Sequence, residues 1–111
     1  MLYISIALFL IAAVFGLIIA SAILRKQPTP KPLVYLHGLL GAAALTIVVI
    51  YVVQHADKNP MTSLVLLIIA ALGGFVLFAR DMTKKPGPMA LVVIHALVAV
   101  AGVLGLVLFV M

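Results

Sequence analysis

Pro32–Ala44, PLVYLHGLLGAAA, is the stretch that decides how this chain is read. It sets one histidine, His37, a turn and a half into an apolar run that begins after a proline. Small residues follow at Gly41 and Ala44, on the face of a helix that His37 itself would occupy. Pro88–Gly102, PMALVVIHALVAVAG, writes nearly the same thing again, with His95 followed by Ala99 and Gly102 at the same spacings. An imidazole inside a lipid-spanning helix is costly, and by default it marks function. Two of them in matching positions call for one explanation.

The surroundings of these stretches fix the solvent. Of the 111 residues 68% are hydrophobic and 8% charged, and a domain of that size has too little interior to hide so much apolar surface from water. The absence of cysteine excludes disulfides, zinc–thiolate sites, thiol catalysis and haem attached through Cys-x-x-Cys-His. A net charge of +5 would point to nucleic acid in a soluble protein. Here the cations flank apolar runs, so they report membrane orientation, and no nucleic-acid partner is expected.

Four spans are expected: Leu2–Leu24, Leu33 to about Val53, Met61–Ala79, and Met89 to about Val110. Each is long enough, at 1.5 Å per residue, to cross a hydrocarbon core of about 30 Å, and each must be helical because unpaired backbone groups cannot face lipid. The first run lacks a basic leader and is followed, not preceded, by cations, so it reads as a span and not as a cleaved signal. RKQPTPKP (25–32), QHADKNP (54–60) and RDMTKKPGP (80–88) read as the connections, with prolines that stop or start helices. Arg25, Lys26, Lys31, Arg80, Lys84 and Lys85 lie in the first and third connections, and Lys58 alone in the second. The positive-inside rule then puts the two basic turns in the cytoplasm of a bacterial cell and both termini outside.

Sliding the chain against itself by 58 residues superposes residues 1–53 on 59–111, with sixteen identities in 53 positions. They include Ser5/Ser63, Ala12/Ala70, Gly16/Gly74, Lys26/Lys84, Pro28/Pro86, Pro30/Pro88 and His37/His95. Apolar bias alone does not produce matches in Gly, Pro, Lys and His. The expected fold is therefore an all-α, four-transmembrane-helix bundle, a single domain built from two duplicated helical hairpins that enter the membrane the same way round. A pseudo-twofold axis along the bilayer normal would bring the second and fourth helices into equivalent settings.

That symmetry gives the histidines a chemistry. Ligation of one b-type haem needs two neutral imidazoles facing each other across the iron, one from each of two helices. On this reading His37 and His95 are the metal ligands. Gly41, Ala44, Ala99 and Gly102 on their helices, with Gly16 and Gly74 on the other two, make room for the macrocycle. Arg25, Lys26, Lys31, Arg80, Lys84 and Lys85 offer cations to the propionates. The histidines lie about 8 to 10 Å below the membrane boundary at helical rise, near enough for propionates to reach the basic turns.

Blander readings exist for each feature. The histidines can hydrogen-bond to a neighbouring helix in a non-enzymatic scaffold or accessory subunit. They can instead serve as a proton or metal relay, although only Ser5, Ser21, Thr46, Thr62 and Ser63 are present to line a path. Glycines 16, 73, 74, 102 and 105 suit plain helix packing, and the cations suit plain topology. His55, beside Asp57, reads as a loop residue, and Tyr3, Tyr35 and Tyr51 as interfacial anchors. No nucleophile–base pair, carboxylate pair or phosphate loop is present.

Paired helices that each carry one histidine flanked by Gly and Ala resemble the haem-binding helices of membrane b-type cytochromes, and the four-helix bundles of the cytochrome b561 type most of all. The resemblance covers His37 and His95 as axial ligands and is local to them. It implies at most one haem b per chain. The expected function is electron transfer, or service as a subunit of a respiratory complex, and the expected partner is a membrane redox protein or a second copy of the chain in a homo-oligomer. The four-span plan also resembles the small multidrug resistance transporters, but those depend on an acid in the first span, and Leu2–Leu24 has none.

Overall fold

The structure is a computed structural model that describes residues 1–85 and 88–111. Pro86 and Gly87, with the Pro28/Pro86 match and that part of the third connection, lie outside the described residues. Four helices follow one another: α1 (Leu2–Leu24), α2 (Lys31–Gln54), α3 (Met61–Met82) and α4 (Met89–Val110). All four are long and apolar enough to cross a membrane, and together they form a bundle of 45 × 22 × 21 Å. The chain is a small four-span integral membrane protein.

Helix starts follow the prolines. Pro30, Pro60 and Pro88 stand at the N-cap positions of α2, α3 and α4, where the missing N–H costs nothing. Two boundaries differ from the sequence expectation. α2 begins at Lys31 and continues through Gln54, and α3 continues through Arg80 and Asp81 to Met82. Both overruns carry polar side chains at helix ends, where such residues reach water while the backbone stays helical.

The ends of α1 and α3 are built alike. Lys26 and Lys84 adopt positive φ, 55° and 58°. In the first turn Lys26 N–H donates to Ile23 O and Gln27 N–H to Ala22 O; in the second, Lys84 N–H donates to Asp81 O and Lys85 N–H to Arg80 O. This is the Schellman pattern, with lysine at the left-handed position that glycine usually takes. Every partner in the second turn stands 58 positions after its counterpart.

α1 packs along α2 and α3 along α4, while the α2–α3 and α1–α4 seams are thinner. Across the diagonals, α2 to α4 and α1 to α3, no two Cα atoms among the described residues come within 8 Å. The large buried side chains lie toward one end. Leu2, Val48, Val52, Leu64, Leu67 and Leu106 form the core near the termini and the 55–60 connection, called here the terminal end. Toward the opposite, basic end, the helices bury only Ala12, Ala22, Val34 and Ala70. The histidines stand in that sparsely filled half.

A histidine pair across the bundle centre

Each histidine is held by the neighbouring helix of its own hairpin. His37 Nδ1 lies 2.7 Å from Ala12 O on α1, and His95 Nδ1 lies 2.7 Å from Ala70 O on α3. A carbonyl oxygen can only accept, so Nδ1 carries the proton in both rings. In a neutral imidazole that leaves the Nε2 lone pair as the acceptor. Neither Nε2 has a hydrogen-bond partner among the described residues. This is the usual condition of a metal-binding histidine, oriented by a backbone bond through its other nitrogen.

The rings need space against α1 and α3, and glycine provides it. A Cβ on Gly16 would stand 2.9 Å from His37 Cε1, and one on Gly74 would stand 3.0 Å from His95 Cε1. The two glycine notches therefore receive the imidazoles themselves. Across the bundle the two ring centres are 6.2 Å apart, with planes at 74°. Two imidazoles on opposite sides of one metal, with bonds of about 2 Å and each ring centre a little over an ångström behind its nitrogen, stand about 6 to 6.5 Å apart, a separation that edge-to-face ring pairs also adopt.

The other expected site residues divide. Gly102 faces α3, where a Cβ would stand 2.7 Å from Leu67 Cγ, so it serves the hairpin contact. Ala44 is fully buried toward the terminal end, and its carbonyl accepts a 2.9 Å bond from the buried Ser5 Oγ. Gly41 has nothing within 4 Å of an added Cβ, and Ala99 is half-buried. All six cations are exposed at the basic end. Lys31 Nζ pairs with Asp81 Oδ2 at 2.6 Å and donates to Thr29 Oγ1 at 2.8 Å. Arg25 Nε donates to Ser21 O, and Arg80 stands in the last turn of α3.

Sequence reasoning did not single out the acceptors Ala12 O and Ala70 O, nor the cluster around Asp81. The acceptors had a signal, since both alanines are identities of the 58-residue repeat and each stands 25 positions before its histidine. The Asp81 cluster joins two different hairpins through residues the repeat does not share, so no periodicity announced it. His55 lies stacked on Tyr51 with ring centres 3.9 Å apart, away from the pair.

The donor set narrows what the pair could hold. No group of three or more His, Cys, Asp or Glu placed to hold a metal ion exists among the described residues. A bare zinc ion wants four ligands. A tetrapyrrole brings four nitrogens of its own and needs only the two axial ones. The separation of α2 from α4 and the lack of large buried side chains at this level are compatible with a flat group. Two cavities of about 360 and 380 Å³ lie at the terminal end, and neither is lined by His37 or His95. Fold and site thus define a four-span membrane bundle with an oriented imidazole pair at its centre. Comparison of the chain with known families, with curated proteins and with solved structures finds no match.

Proposed function

We propose that this chain binds one haem b between His37 and His95 and serves single-electron transfer, alone or as a subunit of a membrane redox complex. The observation that carries the reading is the pair of imidazoles, each fixed through Nδ1 by a backbone carbonyl at 2.7 Å and set 6.2 Å apart centre to centre. When bound, the haem supplies a one-electron couple tuned by its axial ligands and its low-dielectric surroundings. The chain's own part is to hold both rings in one tautomer, to keep water from the centre with lipid-facing helices, and to present cations at the basic end. Arg25, Lys26, Lys84 and Lys85 suit the propionates better than Lys31, which Asp81 already engages. The basic turns face the cytoplasm of a bacterial cell on this reading, and the two hairpins derive from one duplicated unit.

Detergent-solubilised protein should show a Soret band and, after reduction, split alpha and beta bands. His37→Ala and His95→Ala should each abolish the low-spin spectrum. A pigment that survives both substitutions unchanged refutes the ligand assignment.

One observation favours a second reading, a scaffold whose histidines only tie helices together, because the Nδ1 bonds are themselves interhelical. That protein would be colourless when purified from haem-replete cells, and His37→Asn would stay folded. The relay reading gains less, since Ser5 and Thr46 are both engaged on backbone carbonyls.

A further inference from the structure

The two long seams between the hairpins are fastened differently. α2 and α3 are joined at the terminal end by their own connection, residues 55–60. At the basic end a polar and aromatic clasp holds them. Thr29 Oγ1 donates to the Asp81 carboxylate at 2.8 Å, Lys31 Nζ pairs with it at 2.6 Å, and Tyr35 meets Phe78 edge-on with ring centres 6.1 Å apart. Tyr35 Oη also reaches Met82 Sδ at 3.6 Å.

The α1–α4 seam occupies the position related by the repeat, yet none of the clasp residues recurs there. Stepping 58 positions turns Thr29, Lys31 and Tyr35 into Gly87, Met89 and Val93, and Phe78, Asp81 and Met82 into Ala20, Ile23 and Leu24. An ion pair and an aromatic contact are thus replaced by small or purely apolar side chains. The hydrogen bond that α1 and α4 share among the described residues, Tyr3 Oη to Val110 O, lies at the opposite, terminal end. The large buried side chains also lie at that end and join all four helices there.

From this asymmetry we infer that the α1–α4 seam at the basic end is the lateral portal by which haem reaches the histidine pair from the membrane, with α2–α3 as the fixed wall behind it. The inference rests on the haem reading for its ligand. Its mechanical part does not. The terminal core acts as the pivot, and helix ends that among the described residues share no polar tie gain little from staying together in lipid, because lipid tails are as apolar as the side chains they replace. Haem, flat and apolar with two anionic groups on one edge, fits such an entry. Its faces pass Ala20 and Val93 while its propionates stay beside the cations of the basic turns.

The portal is tested by transplanting the clasp. Ala20→Phe, Ile23→Asp, Met89→Lys and Val93→Tyr together place the missing residues on the α1–α4 seam of the full chain. Haem uptake by haem-depleted protein in vesicles should slow about tenfold, the scale on which one ion pair and one aromatic contact add to an opening barrier. The final spectrum should stay that of the wild type. Removing the aromatic half of the original clasp, Tyr35→Val with Phe78→Ala, should not slow uptake. Unchanged uptake in the transplant, or slowing in the second variant, overturns the portal.

Spin labels keep the mechanical claim separate. The chain has no cysteine, so labels at Ser21→Cys and Ile94→Cys, and in a second protein at the repeat-related Ala79→Cys and Leu36→Cys, report each seam and leave Tyr35 and Phe78 in place. The first distance distribution should be broad and the second narrow in haem-free vesicles. Equal widths overturn the portal even if the protein binds haem. A broad first distribution in a protein that never takes up haem refutes the haem reading alone and leaves the mobile seam standing.

Discussion

Gly16 and Gly74 show how closely a single position controls the imidazoles. The ring of His37 cannot retreat from an added methyl without losing its 2.7 Å bond to Ala12 O, because that bond and the glycine notch lie on the same helix, one turn apart. Gly16→Ala should therefore cost about 1 to 3 kcal/mol of overpacking, partly offset by the better helix propensity of alanine. If the chain holds the proposed haem, the same substitution should shift or broaden its spectrum by tilting the His37 ring. Gly74→Ala should do the same to His95, whose Cε1 would stand 3.0 Å from the new Cβ. Gly38→Ala is the control, with nothing within 4 Å of the new methyl. Denaturant titration in detergent, read beside the visible spectrum, checks the order. Equal effects at positions 16 and 38 would mean that the notch does not orient the ring.

At the scale of the helix, close approach within a hairpin depends on what each glycine faces. Gly102 lies over Leu67, whose branch atom Cγ would stand 2.7 Å from a new Cβ and which is only 3% exposed. Gly105 lies over Ser63 Oγ, the tip of a short side chain that can rotate away. Gly102→Ala should therefore destabilise the α3–α4 hairpin by about 1 to 3 kcal/mol, and Gly105→Ala by clearly less, as SDS-induced unfolding followed by circular dichroism would report. The elements were also where the sequence was easiest to read. Apolar runs of span length bounded by proline and lysine leave few alternatives in lipid, so four helices followed directly, and their ends moved by only two or three residues. The histidines were legible for a similar reason, since an ionisable group is conspicuous in a hydrocarbon span. Gly102 was harder. Its spacing from His95 placed it on the histidine's face, but spacing says nothing of which neighbour that face meets two turns further on, and there the face has turned to Leu67. Gly16 and Gly74 were read as space for a macrocycle, whereas the imidazoles themselves fill the notches.

At the scale of the molecule, two halves that match at the histidines, at their carbonyl acceptors (Ala12 and Ala70) and at the glycine notches (Gly16 and Gly74) are joined by features that do not match. Matched parts hold the rings at equal depth, while the unmatched ones, Asp81 with Lys31 and Thr29, fasten one seam alone. Charge distribution adds a direction. Six of the seven lysines and arginines cluster at one end of the bundle and only Lys58 lies at the other, a bias that fixes the orientation of short-looped membrane proteins. The outcome can be measured without disturbing the fold, because a cysteine introduced at Gln27 or at Ala56 would be the only thiol in the protein. Both positions are exposed and lie in connections. In intact bacterial cells expressing the chain, a membrane-impermeant maleimide should label Ala56→Cys and spare Gln27→Cys, and it should reach both after the cells are opened. The reverse pattern would place the basic turns outside. The histidine pair would then lie in the outer leaflet, and a haem held there would exchange electrons with donors outside the cell; the expected labelling pattern puts the pair in the inner leaflet, open to donors in the cytoplasm.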